Sequence, residues 1–130
     1  MIKRAIAFLS LIVAAPLSAH HAFDAEFDRN KPVTLRGIVT QVQWTNPHSF
    51  LVVEVRDSNG KRVTWWLEGF PAGVLQGSGW KKDVTVKPDD AITVTGWQAR
   101  DRPNRISVHE VTFADGRSLV FGPQPYTPKR

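Results

Sequence analysis

Between Pro32 and Trp44 the chain is rich in Val, Thr and Ile, and its apolar alternation changes parity partway along. Val33 and Leu35 share one parity; Ile38, Val42 and Trp44 share the other, with Gly37 at the change. β-Branched residues at this density favour a strand, whose successive side chains point to opposite faces. A strand whose apolar set switches faces has to bend or bulge, and a glycine inside the pattern marks the place. A long, bent first strand is therefore the feature that most restricts the fold.

The segments that follow are short and separated by turn residues. Thr45-Asn46-Pro47-His48 reads as a turn, because Asn-Pro favours turn initiation and proline offers no backbone donor. Ser49 to Arg56 reads as a second strand, and Asp57-Ser58-Asn59-Gly60 as a hairpin, since Asn-Gly supplies the positive φ such turns need. In the third strand, Lys61 to Glu68, Val63, Trp65 and Leu67 face one way and Thr64, Trp66 and Glu68 the other. Trp65 is thereby expected in the core. Pro71 can open a short helix that Gly77 and Gly79 end. Lys81 to Asp90 is a connector, Ala91 to Trp97 a fourth strand and Arg105 to Phe113 a fifth, with Asp115-Gly116 turning into a short sixth, Ser118 to Phe121.

Three strands, one short helix, two strands and a hairpin extension, with a bent first strand, is the order of an OB-type Greek-key barrel. The expected fold is all-β: a small OB-like barrel over residues 32–121. A generic small β-sandwich is the other arrangement compatible with the pattern.

Ahead of the barrel, Lys3 and Arg4 precede an almost unbroken apolar run from Ala5 to Leu17, and Leu17-Ser18-Ala19 supplies small residues at its end. This reads as a secretory signal peptide, residues 1–19. The run is about a dozen residues, whereas a spanning helix needs about twenty. A periplasmic or secreted protein is expected, meeting the membrane only during export. Residues 20–31 form an N-terminal arm in which Phe23 and Phe27 sit at helical spacing. Residues 122–130 hold three prolines and are expected to be a disordered tail.

Loss of Lys3 and Arg4 with the signal lowers the formal charge from +5 to +3, and the remaining basic residues form no dense stripe. Nucleic acid is therefore not an expected partner. The chain has no cysteine, which excludes disulfides, thiolate catalysis and Cys-ligated zinc. No G-x-S-x-G, phosphate loop, calcium loop or catalytic triad occurs, so a non-enzymatic binding protein is expected.

Two constellations could bind. Cleavage after Ala19 would make His20 the terminal residue, whose free α-amine and ring nitrogen can chelate one ion together. A further imidazole from His21 or His48 would complete a nitrogen-rich site suited to copper(II). Asp24, Glu26 and His109 are further candidate ligands or supporting partners, although His109 fits a hydrogen-bonded strand residue better. The second constellation is aromatic: Trp44, Phe50, Trp66 and Trp97 as a platform on a barrel face, with Glu68 beside it, binding a glycan, peptide or partner protein without metal. A solvated strand-end acid is the plainer reading of Glu68.

Several pieces taken together resemble a known family: His20-His21-Ala22-Phe23 with Glu26-Phe27-Asp28; Pro32-Val33-Thr34-Leu35-x-Gly37; Trp44-Thr45-Asn46-Pro47-His48; Gly79-Trp80; and Asp115-Gly116-Arg117-x-Leu119. They resemble the exported bacterial family known as domain of unknown function 6152, over nearly the whole mature chain. The resemblance implies an exported bacterial protein with a small β-barrel. It implies no activity or cofactor, but it places the His-His start and the Asn-Pro-His turn among the motif positions.

Overall fold

A computed structural model describes residues 22–125. The expected signal peptide, His20, His21 and residues 126–130 lie outside the described residues. Residues 22–26 are helical (α1) and lead directly into the long strand β1, Phe27–Gln43. Then come β2, Phe50–Arg56; β3, Arg62–Glu68; α2, Ala72–Gly77; β4, Ala91–Ala99; β5, Arg105–Phe113; and β6, Ser118–Val120.

The sheet order is β3-β2-β1-β4-β5-β6, and a parallel pairing of β3 with β5 closes it into a ring. The first part of β1 pairs with β4 and the last part with β2, all antiparallel, and Ile38 faces partners on both sides. This is the OB-like Greek-key barrel expected from the strand order, with α2 between β3 and β4. It has two short helices rather than one, because the Phe23–Phe27 segment begins as a helical turn. β1 starts at Phe27 instead of Pro32, since Phe27 already pairs with Ala99 of β4.

The parity change in β1 is real but lies elsewhere. Val33, Leu35 and Val39 all pack on the core, so the inward set runs straight through Gly37. The register shift falls between Val39 and Gln41, and beyond it Val42 and Trp44 turn inward. Ile38 stays outside, 44% exposed. The backbone at the bulge is satisfied by the connector: Val39 donates to Asp90 O at 2.9 Å and accepts from Asp89 N at 2.8 Å. Gly37 has a different cause. A Cβ there would lie 2.6 Å from Glu54 O of β2, so the bend brings neighbouring backbone too close for a side chain. Gly96 of β4 is tighter still, with Ser107 O of β5 only 2.1 Å from an added Cβ.

Leu51, Val53, Leu67, Val94, Ile106, Val108 and Val111 fill the barrel interior. Trp80 plugs one end, 1% exposed, with its ring 5.2 Å from Phe121, 5.8 Å from Phe113 and 6.2 Å from Trp44. Its Nε1 donates to Val120 O at 2.8 Å, so the indole is buried without a stranded donor. Leu75 of α2 is buried beside it in the same core. The Asp115-Gly116-Arg117 motif is the β5–β6 turn. Asp115 accepts from the Arg117 backbone N–H at 3.0 Å and from its Nε at 2.6 Å, which hold the carboxyl below the usual aspartate range, and Gly116 has φ +88°. Of the residues expected in a tail, Gly122 is buried and donates to His109 O, and Pro123 is half-buried.

The contacts of Trp80 predict its cost. Trp80→Ala should lose about 3–5 kcal/mol in equilibrium denaturation, and Trp80→Phe distinctly less. Gly96→Ala should destabilise by about 1–3 kcal/mol, because β4 and β5 must part to admit the methyl group. A denaturation midpoint for Gly96→Ala equal to that of the unaltered protein would contradict this packing.

Candidate functional site

The outer face of the β2–β3 hairpin orders the site. Phe50 is paired with Glu68, Val52 with Trp66 and Glu54 with Thr64, all on the outward parity. Trp65 and Leu67 point to the core, as the alternation requires, and Val63, of the same parity, is half-buried. Glu68 thus belongs to the outside of the barrel, yet it is only 4% exposed. The plain reading of a solvated strand-end acid fails because other parts of the chain cover this end of the face.

Those parts are α1 with the start of β1, and the β1–β2 loop. Together they enclose a cleft of about 630 Å³, with walls that include Ala22, Phe23, Phe27, Pro47, Phe70 and Pro123, and with Glu26, His48 and Glu68 as its ionisable groups. That size, and mostly apolar walls with a few placed polar groups, are usual for a ligand site. The Phe23 and Phe27 rings lie 5.3 Å apart, so the helical spacing noted in the sequence does bring them together.

Arg105, the first residue of β5, lies opposite Trp66 in the closing β3–β5 pairing. It donates from Nε to Glu68 Oε2 at 3.0 Å and from Nη2 to the same oxygen. It also lies 3.6 Å from Glu26 Oε2 and 3.4 Å from Asp101 Oδ1, and its guanidinium sits 5.0 Å from the Phe27 ring centroid. Desolvation disfavours the Arg105 charge, but the hydrogen bond to Glu68 and the three nearby carboxylates outweigh it, and its pKa is raised above the ordinary arginine value. The other oxygen of Glu68, Oε1, faces His48 Nδ1 at 3.5 Å. The His48 side chain is half exposed.

The His48 backbone is held on both sides. Thr45 Oγ1 donates to His48 O, while Ser49 donates to Phe70 O at 3.1 Å and accepts from Gly69 N at 2.9 Å. α1 is fastened as well. Arg29 makes a two-pronged contact with the Asp24 carboxylate, both bonds 2.7 Å, and Arg100 donates to Asp24 O at 2.8 Å and lies 3.7 Å from Asp28.

The structure divides the aromatic platform. Trp66 is 41% exposed and meets Phe50 edge-on at 5.9 Å, so these two share a surface. Trp44 does not join them: it lies inside against Trp80, because the bulge in β1 turns it inward, and its buried Nε1 has no partner among the described residues. Trp97 does not join them either. It is half-buried under the N-terminal segment, edge-on to Phe23 at 6.0 Å. His109 is a strand residue whose Nδ1 lies 3.2 Å from Gly122 O. Among the described residues no three His, Asp or Glu side chains cluster to hold a metal; two of the three expected ligands, His20 and His21, lie outside that set.

Sequence reading passed over Arg105. Its residue type gave no signal beyond its place in a charged loop, since the parallel pairing that brings it beside Glu68 joins segments far apart in the chain. Pro47, Phe70 and Pro123 were equally silent as cleft walls, because each is placed by chain crossings and not by a local pattern.

The chain belongs to the family of unknown function DUF6152, whose sequence profile matches residues 8–107, well over half of it. No curated protein and no solved structure matches the chain.

The buried pair gives a direct prediction. Arg105→Met should cost about 3–5 kcal/mol, because it strands the buried Glu68 carboxylate; Glu68→Leu should cost less, because Arg105 keeps Asp101 and Glu26, and the double variant should recover most of the larger loss. A double-mutant cycle in chemical denaturation measures it. Additive losses would mean that the two groups do not act as a pair.

Proposed function

We propose that this is an exported, non-enzymatic binding protein that holds a transition metal, copper foremost, in the cleft beside His48. His48 and the His20-His21 start of the mature chain are the nitrogen donors. One observation carries the reading: Ala22, bonded directly to His21, lines the same cleft as His48. In sequence the His-His pair and His48 are separated by an arm and a strand. In space, α1 returns the arm to the end of the barrel where the β1–β2 loop emerges.

The donor chemistry fits. An α-amine and two or three imidazoles make a nitrogen-rich set, which suits copper(II) over hard cations. The walls are mostly apolar, and the Glu26 and Glu68 carboxylates, shared with Arg105, lie beside the donors. Export, to the periplasm or beyond, is part of the same proposal, since cleavage after Ala19 is what frees the terminal amine.

Mass spectrometry of the secreted protein should give a mature chain beginning at His20. Copper(II) titration should then show one site, weakened at least about tenfold in His20→Ala and in His48→Ala, the loss that even outer partners of a metal carry. Removing the metal with a chelator should lower the thermal midpoint to that of the apo protein. A chain beginning at Phe23, or a copper affinity in both variants unchanged from that of the unaltered protein, defeats the proposal.

A second reading rests on Trp66. An exposed tryptophan braced by Phe50, with Arg102 and Arg105 beside it, offers a stacking surface for a glycan, peptide or partner protein. On that reading Trp66→Ala abolishes capture while leaving the unfolding midpoint nearly unchanged, and copper binding is untouched.

A further inference from the structure

We propose that Glu68 is a positioning residue for His48: it holds the imidazole proton on Nδ1 and so leaves the Nε2 lone pair as the one offered to a metal. The proposal deepens the metal reading and rests on it for what Nε2 binds. The tautomer itself is a property of the metal-free chain.

The chemistry follows from how the two oxygens of Glu68 are used. Oε2 takes both hydrogen bonds from Arg105, through Nε and Nη2. A carboxylate paired in this way accepts hydrogen bonds and has none to donate. Oε1 is turned to His48 Nδ1, 3.5 Å away. If Nδ1 carried a lone pair, two acceptors would face each other beside a buried charge. With the proton on Nδ1 the contact becomes attractive. A neutral imidazole has one N–H, and the hydrogen bond of one nitrogen decides which nitrogen is free to ligate.

The support is rigid where it needs to be. Glu68 ends β3 and is buried, and Arg105 anchors it across the barrel seam. His48 hangs from a backbone tied to Thr45 and, through Ser49, to Gly69 and Phe70, the two residues that follow Glu68. Imidazole and carboxylate are therefore carried by adjoining pieces of one hydrogen-bonded frame. Glu68 acts through His48 and has no need to touch the ion.

The experiment is a long-range ¹H–¹⁵N correlation spectrum of the purified, metal-free protein, taken at a pH where the imidazole is neutral. His48 should show the Nδ1–H pattern. In Glu68→Gln the one amide oxygen is taken by Arg105, so the NH2 group faces Nδ1 as a donor and His48 should shift to the Nε2–H form. The Glu68→Leu/Arg105→Met double variant removes the carboxylate without stranding a charge, and there His48 should revert towards the Nε2–H form that a free histidine side chain prefers. Circular dichroism establishes that the double variant is folded. The same double variant should bind copper(II) about 10–100-fold more weakly, the range for lost outer-shell partners. An Nε2–H pattern in the unaltered protein, or an Nδ1–H pattern retained in the folded double variant, overturns the proposal. Failure of the metal reading looks different: the tautomers behave as described, but no copper binds to the unaltered protein.

Discussion

The Arg105–Glu68 ion pair is the contact on which the rest of this molecule hangs. It spans the seam where β3 meets β5, the one parallel pairing and the one that turns an open sheet into a ring. Because Glu68 is buried, it cannot lose Arg105 without leaving a charge in low dielectric. The same guanidinium lies on the Phe27 ring and near Glu26, so it also fastens the start of β1 over the seam. One cation thus serves closure of the barrel, the docking of the N-terminal segment and the anchoring of Glu68, which lines the cleft. A buried pair is seldom the most stabilising choice for a seam, as an apolar pair of equal volume often does as well. What the apolar pair could not supply is a carboxylate oxygen aimed at His48.

How far the sequence revealed this depended on the range of each interaction. Alternation placed Trp65 and Leu67 inside and Trp66 outside, because strand geometry is local. The hairpin at Asn59-Gly60, the helix after Pro71 and the order of strands were legible for the same reason. The bulge in β1 was legible as an event but not at its residue. Gly37 drew it, since glycine signals a bend, while the register slips at Thr40, which has the look of an ordinary strand residue. That small displacement matters: it moves Ile38 to the surface and commits Trp44 to the core.

The site was legible only in part. His48 and Glu68 could be named from the turn and the strand, but their meeting required the covering of one end of the β2–β3 face by α1, which rests on Arg29, Arg100 and Arg105. Long cationic side chains reaching across the chain leave little trace in periodicity. Trp97 shows the converse. Its type and strand position suggested a binding surface, yet the arm that carries Phe23 lies over it.

Ala22 and Pro123, near the two limits of the described chain, are both walls of the cleft. The segment before β1 and the segment after β6 therefore share one opening, on the outside of a barrel that closes without them. Substitutions at these two walls reshape what the pocket admits and leave the ring of strands as a constant chassis.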